Sequence, residues 1–123
     1  NSMHRCAMHR DEEIRSAMPP GALHLLILRT LAFEPLHGYA IAQRIKIASG
    51  GVLNVEEGSL YPALQRMLMK GWVEADWVQV GAKRRTRVYR LTPDGQRRLA
   101  VELETFQRTT NAILRVIQPA EAS

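Results

Sequence analysis

The stretch from Gly21 to Phe33 constrains the fold of this chain more than any other. Its Leu23, Leu25, Leu26, Ile27, Leu28 and Leu31 lie all around a helix, interrupted by His24, Arg29 and Thr30. Six such residues cannot all face one core. A helix apolar on nearly every side must be covered from more than one direction. It is too short and too polar to cross a bilayer, and no basic start with a small-residue cleavage site precedes it. The chain has 123 residues, one domain's worth. Part of the cover is therefore expected from a second protein surface.

The elements that follow read in sequence order. Proline disfavours helix in the residue before it, so Glu34-Pro35 ends the first helix. His37 to Ser49 reads as a second helix, with Tyr39, Ile41, Ile45 and Ala48 as core contacts, stopped by Gly50-Gly51. Val52 to Val55 reads as a short extended piece. A third helix is predicted over Ser59 to Lys70, with Ser59 as N-cap and Pro62 in the first turn. Its Leu60, Leu64, Met67 and Leu68 share one inward face, and Gly71 ends it. Trp72 to Val80 and Arg87 to Leu91 read as two strands joined by a basic turn, Gly81 to Thr86. Thr92-Pro93-Asp94 is a strong helix start: a capping threonine, a proline in the first position and an acid on the positive end of the dipole. The last helix runs to about Ile117. Residues 1–18 form a polar arm, with a short helix around Asp11 to Ser16. Three compact helices followed by a hairpin is the order of a winged helix-turn-helix, in which the third helix reads and the hairpin is the wing.

The charge pattern agrees with that order. The formal net charge is +5, and most of the 17 basic residues are arginines, whose planar fork suits phosphates and base edges. The third helix carries Ser59, Tyr61, Pro62, Gln65 and Arg66 on the face away from its leucines. Gln and Arg have the geometry to pair with adenine and guanine edges, and Tyr61 can donate to a phosphate. Lys83, Arg84, Arg85, Arg87 and Arg90 stand within eight residues with no acid among them, where a basic hairpin reaches phosphates or the minor groove. A solvated polar face and a solubilising turn are the plainer explanations. Five charges of one sign fit the second poorly.

The last helix repeats steps of three and four through 96, 99, 103, 106, 110, 113 and 117, a heptad seam with polar residues at two places. Leu99, Leu103, Phe106, Ile113 and Ile117, with Leu23 and Leu26 of the first helix, are the expected homodimer contacts. The alternative is packing on the chain's own core. A small-molecule effector site is placed where the two helices meet, at His24, Leu26 and Phe106. No catalytic constellation, phosphate loop or cofactor motif is present. His4, Cys6 and His9 are close in sequence but lie in an arm that cannot preorganise a metal site. The lone Cys6 excludes a disulfide framework and fits a reducing compartment.

Several segments together resemble the PadR family of bacterial transcriptional regulators. They are Pro20-Gly21-Ala22-Leu23 with Leu25-Leu26-Ile27-Leu28, then Pro35-Leu36-His37-Gly38-Tyr39 with Ile41, and Gly58-Ser59-Leu60-Tyr61-Pro62-Ala63-Leu64 with Arg66. Gly71-Trp72-Val73 with Trp77 and Tyr89-Arg90-Leu91-Thr92-Pro93-Asp94-Gly95 complete the set, in family order over about residues 20 to 117. The resemblance implies a winged helix, a C-terminal dimerisation helix, palindromic operators, mostly repression, and release by small hydrophobic or aromatic effectors. The single C-terminal helix is similar to the smaller subgroup. His24 stands where similar sequences often carry aspartate, and Phe106 where they often carry tryptophan, so effector specificity is not carried over.

The expectation is thus a mainly α protein with an arm (1–18), a winged helix-turn-helix domain (19–91), a dimerisation helix (92–118) and a tail (119–123). Its partners are double-stranded DNA, a second copy and an effector. It is no enzyme, needs no cofactor, and works in the bacterial cytoplasm. A related regulator of the MarR or ArsR type shares the wing, and the lack of clustered cysteines and histidines argues against a metal sensor. A winged helix used only to bind proteins is the alternative from a different class.

Overall fold

The computed structural model describes residue 18 and residues 21–118. The helix expected at Asp11 to Ser16, the His4, Cys6 and His9 group, and the tail at 119–123 lie outside the described residues. Helix α1 spans Ala22–Leu31. Ile27 and Leu28 are fully buried, and Ala22, Leu25 and Leu31 nearly so. Within the helix only Arg29 is exposed. The all-round apolar helix is packed on by other parts of its own chain, the helices Gly38–Ala48, Glu57–Met69 and Pro93–Ile117 and the strand Arg85–Leu91. Leu23 and Leu26 remain half-buried.

Helix α2, Gly38–Ala48, starts where the His37 ring accepts a hydrogen bond from the Ala40 amide at 3.3 Å. Ile41 and Ile45 are buried, whereas Tyr39 is 63% exposed and Ala48 is exposed too, so neither is the core contact expected. Position 39 lies two residues, roughly 200°, from Ile41 and therefore faces away. Val52 to Val55 form no strand. The Leu53 amide is bonded to Ser49 Oγ at 2.9 Å, which folds this loop back on the helix end.

Helix α3 runs Glu57–Met69, two residues ahead of the predicted start. Glu56 takes the cap position, and the Ser59 and Leu60 amides bond to its carbonyl. Ser59 is thus inside the first turn rather than its cap. Pro62 lies inside the helix, so its missing N–H leaves the Gly58 carbonyl without its usual helical donor. Pro62 and Gly58 are both exposed, so water can satisfy that carbonyl. Leu60, Ala63, Leu64 and Met67 are buried.

Strands β2, Val73–Gln79, and β3, Arg85–Leu91, form the hairpin, with register from Val73↔Leu91 to Gln79↔Arg85. Arg85 and Thr86, expected in the turn, belong to the strand. A third strand, β1 (Leu36–His37), was not expected. It pairs antiparallel with the other edge of β3, giving the order β1-β3-β2.

Helix α4, Pro93–Ile117, starts as its sequence indicates: Thr92 Oγ1 accepts from the Gly95 amide at 3.0 Å. The same hydroxyl donates to the Gly71 carbonyl at 2.6 Å and ties α4 to the end of α3. At 25 residues α4 is about 37 Å long. Leu99 is buried in the common core and Leu103 packs partly against it. From residue 104 to 118 every residue except Thr110 is exposed.

Candidate nucleic-acid interface

Helical phase sorts the exposed residues of α3. Gly58, Pro62, Gln65 and Met69 form the centre of the open face, with Tyr61 on one flank and Ser59 and Arg66 on the other. All five predicted reading residues, Ser59, Tyr61, Pro62, Gln65 and Arg66, are exposed. They are not equivalent, because the two flanks have different neighbours.

On the Tyr61 flank the helix meets α2 and the wing. A methyl group at Gly38 would come within 2.7 Å of Tyr61 Oη, so the glycine allows this close approach. Burial, helped by Glu57 and Tyr89, pushes the Tyr61 hydroxyl above its ordinary value. A cleft of about 390 Å³ opens here, with Tyr61, His37 and Tyr39 on one side and Arg84, Arg87 and Tyr89 on the other. His37 and Tyr39 were not expected at the site; the phase of α2 against Ile41 and Ile45 was the signal for Tyr39. The rings of His37 and Tyr39 are nearly parallel, with centroids 6.4 Å apart.

The wing's cations fall into two groups. Arg90 bonds Glu74 at 2.8 Å and also Asp76, because the register puts the acids of β2 beside it. Those carboxylates hold its pKa above the ordinary value. Arg90 is thus neutralised by acids that lie 14 and 16 residues away in sequence. Among the described residues, Lys83, Arg84, Arg85 and Arg87 form no ion pair. Arg85 lies 5.4 Å from the centroid of Trp77, which is 61% exposed. Arg87 lies 5.9 Å from Trp77 and 5.7 Å from Tyr89. It is half-buried, and its Nε is buried without a partner among the described residues.

On the opposite flank, Arg66 belongs to a cluster with α1 and α4. His24 lies edge-on to Trp72 at 6.4 Å, and Lys70 and Arg98 lie over that indole at 4.9 and 5.0 Å. Burial, then Arg66 and Lys70, lower the His24 pKa below 6.5, against a raising effect from Glu102. Leu26 points to the other side of α1. There it lines an apolar groove of about 460 Å³ with Phe33, Ile45 and Leu53, between Arg29 and Arg44. Phe106 is on the exposed half of α4. One subunit by itself does not gather His24, Leu26 and Phe106. Among the described residues, no three His, Cys, Asp or Glu side chains are grouped to hold a metal. No described helix is long and apolar enough to cross a membrane.

Three packed helices, a two-stranded wing with a short third strand, and a long closing helix define a winged-helix protein. Residues 27–101 match the transcriptional regulator PadR-like family, and the chain belongs to that family, whose members are regulators and not enzymes. It is 37% identical over 99 residues to an uncharacterized 37.1 kDa protein in transposon TN4556 of Streptomyces fradiae. That match covers 80% of this chain but 27% of the relative, so the chain spans about a quarter of that protein's length. A PadR family transcriptional regulator from Eggerthella lenta has the same fold, with a TM-score of 0.72 at 24% identity, over 96% of this chain and 97% of that one. Bacillus subtilis PadR, in a complex with operator DNA, is similar at a TM-score of 0.63 and 27% identity, over 70% of this chain and 48% of that one.

Proposed function

We propose that this protein is a homodimeric repressor in the bacterial cytoplasm that binds a palindromic operator in double-stranded DNA. Gln65 and Arg66 of α3 read base edges in the major groove, Ser59, Tyr61 and Pro62 border that contact, and Lys83, Arg84, Arg85 and Arg87 hold phosphates. The observation that carries the reading is the set of four wing cations that form no ion pair among the described residues, two of which, Arg84 and Arg87, share a cleft with Tyr61 of α3. The Bacillus subtilis relative bound to operator DNA supports it. The proposed division follows: a winged helix over 19–91 binds DNA, and α4, within 92–118, joins two subunits. Support for the dimer comes from Phe106, Ile113 and Ile117, all exposed on the part of α4 beyond the core. Leu23, Leu26, Leu99 and Leu103, buried or half-buried in one subunit, are the remaining contacts of the proposed interface. A small hydrophobic effector that loosens DNA binding completes the proposal, with the groove beside Leu26 as part of its site and His24 and Phe106 reached only across the subunit boundary.

A salt titration tests the DNA reading, using a duplex selected from a random pool and its scrambled counterpart. Arg66→Ala should cost about 1–3 kcal/mol on the selected duplex only. Lys83→Ala should weaken both duplexes alike and lower the salt slope by about 1. If both variants bind both duplexes as the wild type does, α3 and the wing do not touch DNA, and a protein-binding winged helix replaces this reading.

A further inference from the structure

We propose that the cleft between the wing and the start of α2 is a seat for one backbone phosphodiester, which pins wing, α2 and α3 to the same point of the duplex. The proposal rests on the DNA-binding reading above and adds to it a site that acts as a unit. Arg84, Arg87 and Tyr61 then cease to be separate surface contacts, and His37 and Tyr39 join them.

The polar groups around the cleft are all able to donate, and no carboxylate lines it. His37 Nδ1 accepts from the Ala40 amide, so in the neutral ring the proton is on Nε2 and that nitrogen is a donor. Tyr39 Oη accepts from Gln43 Nε2 at 2.9 Å, which leaves its own proton to give. Arg84 and Arg87 add two guanidinium groups that no acid neutralises among the described residues. A planar fork of donors suits a phosphate better than any other common anion except a carboxylate.

Arg87 is the decisive member. Its Nε is buried with no partner among the described residues, so the terminal nitrogens of its half-buried side chain are the ones left to meet a ligand in the cleft. Trp77 and Tyr89 hold the guanidinium in place, so little side-chain entropy is lost when an acceptor arrives. Gly38 is a positioning residue: any side chain there would push Tyr61 away from the cleft. The seat is open beside Lys83, Arg85 and the exposed face of α3, which favours a phosphate within a polyanion over a free one. Arg66, on the opposite flank of α3, is no part of it.

The experiment uses the full chain and a set of selected duplexes, each with one symmetry-related pair of phosphates, one in each half-site, replaced by neutral methylphosphonates. For the wild type, one position should weaken binding about tenfold. Arg84→Gln and Tyr61→Phe, which keep most of the packing, should each weaken binding to the unmodified duplex. On the duplex neutralised at that position they should cost nothing further. Gly38→Ala should behave like Tyr61→Phe if its melting temperature shows that it folds. If the variants lose as much affinity on every methylphosphonate duplex as on the unmodified one, there is no single seat, and the proposal is overturned while DNA binding stands. If the wild type binds no duplex, both readings fall. Inorganic phosphate is the third arm: saturable shifts of the His37 ring resonances at millimolar phosphate, without coupling on any duplex, would assign the cleft to a free phosphate instead.

Discussion

A methyl group at Gly95 would lie 2.0 Å from the carbonyl oxygen of Trp72, and backbone cannot yield as a flexible side chain can. Gly95→Ala should therefore destabilise the protein by about 3 kcal/mol, measured by urea unfolding, by forcing α4 off the end of β2. Thr92, three positions earlier at the cap, does two jobs with one hydroxyl, and it is buried. Thr92→Ala should cost about 1–2 kcal/mol in the same assay, since it loses a helix cap and leaves the Gly71 carbonyl without that donor. Arg90 gives the contrasting case on the wing. With Glu74 and Asp76 already on its guanidinium, Arg90→Ala should leave the salt slope of DNA binding unchanged, where Lys83→Ala lowers it by about 1.

At the scale of elements, α4 divides into two parts. Its first turns complete the core through Leu99 and Leu103, while Ile113 and Ile117 beyond them are 52% and 64% exposed. Charged residues at Phe106 and Ile113 should thus spare the fold and yield monomers in sedimentation, with an unchanged far-ultraviolet spectrum; a substituted Leu103 would damage the core as well. The junction of α1, α3 and α4 has its own signature in pH. The His24 pKa is lower in the folded chain than the ordinary 6.5, so the unfolded chain binds the extra proton more readily. The stability that neutral His24 contributes is complete above pH 6.5 and declines as the pH falls from there toward the lowered folded pKa. Melting temperatures at successive pH values should show that decline in the wild type and a shallower one in His24→Gln. Equal profiles would mean that another group governs the acid limb.

For the whole molecule, the proposed dimer has a geometric consequence. A two-fold axis through paired α4 helices would present two α3 helices to the same side of a duplex, one helical turn apart. Selected binding sites should then be inverted repeats with half-site centres roughly 10 base pairs apart. Direct repeats or single half-sites would argue against the two-fold arrangement. What could be read from the sequence about this molecule was whatever depends on neighbours in the chain. The Thr92-Pro93-Asp94 start of α4, the leucine face of α3 and the glycine stops after α2 and α3 rest on contacts three or four residues apart, and the structure has them. The all-round apolarity of α1 likewise signalled burial on several sides. Local signals also misled: Ser59 is a good cap, but Glu56 took that place because a helix can start wherever its first amides find an acceptor. Only the tertiary structure decided the rest, because it depends on strand register and on which helices meet. Two residues of β1 have no periodicity to detect, and their pairing with β3 sets His37 beside the wing. The register of β2 on β3 removed Arg90 from the wing's free charge, and the approach of α3 to Gly38 put Tyr61 opposite Arg84 and Arg87. Such contacts join residues far apart in the chain, and their free energy arises only once the core has brought the elements together.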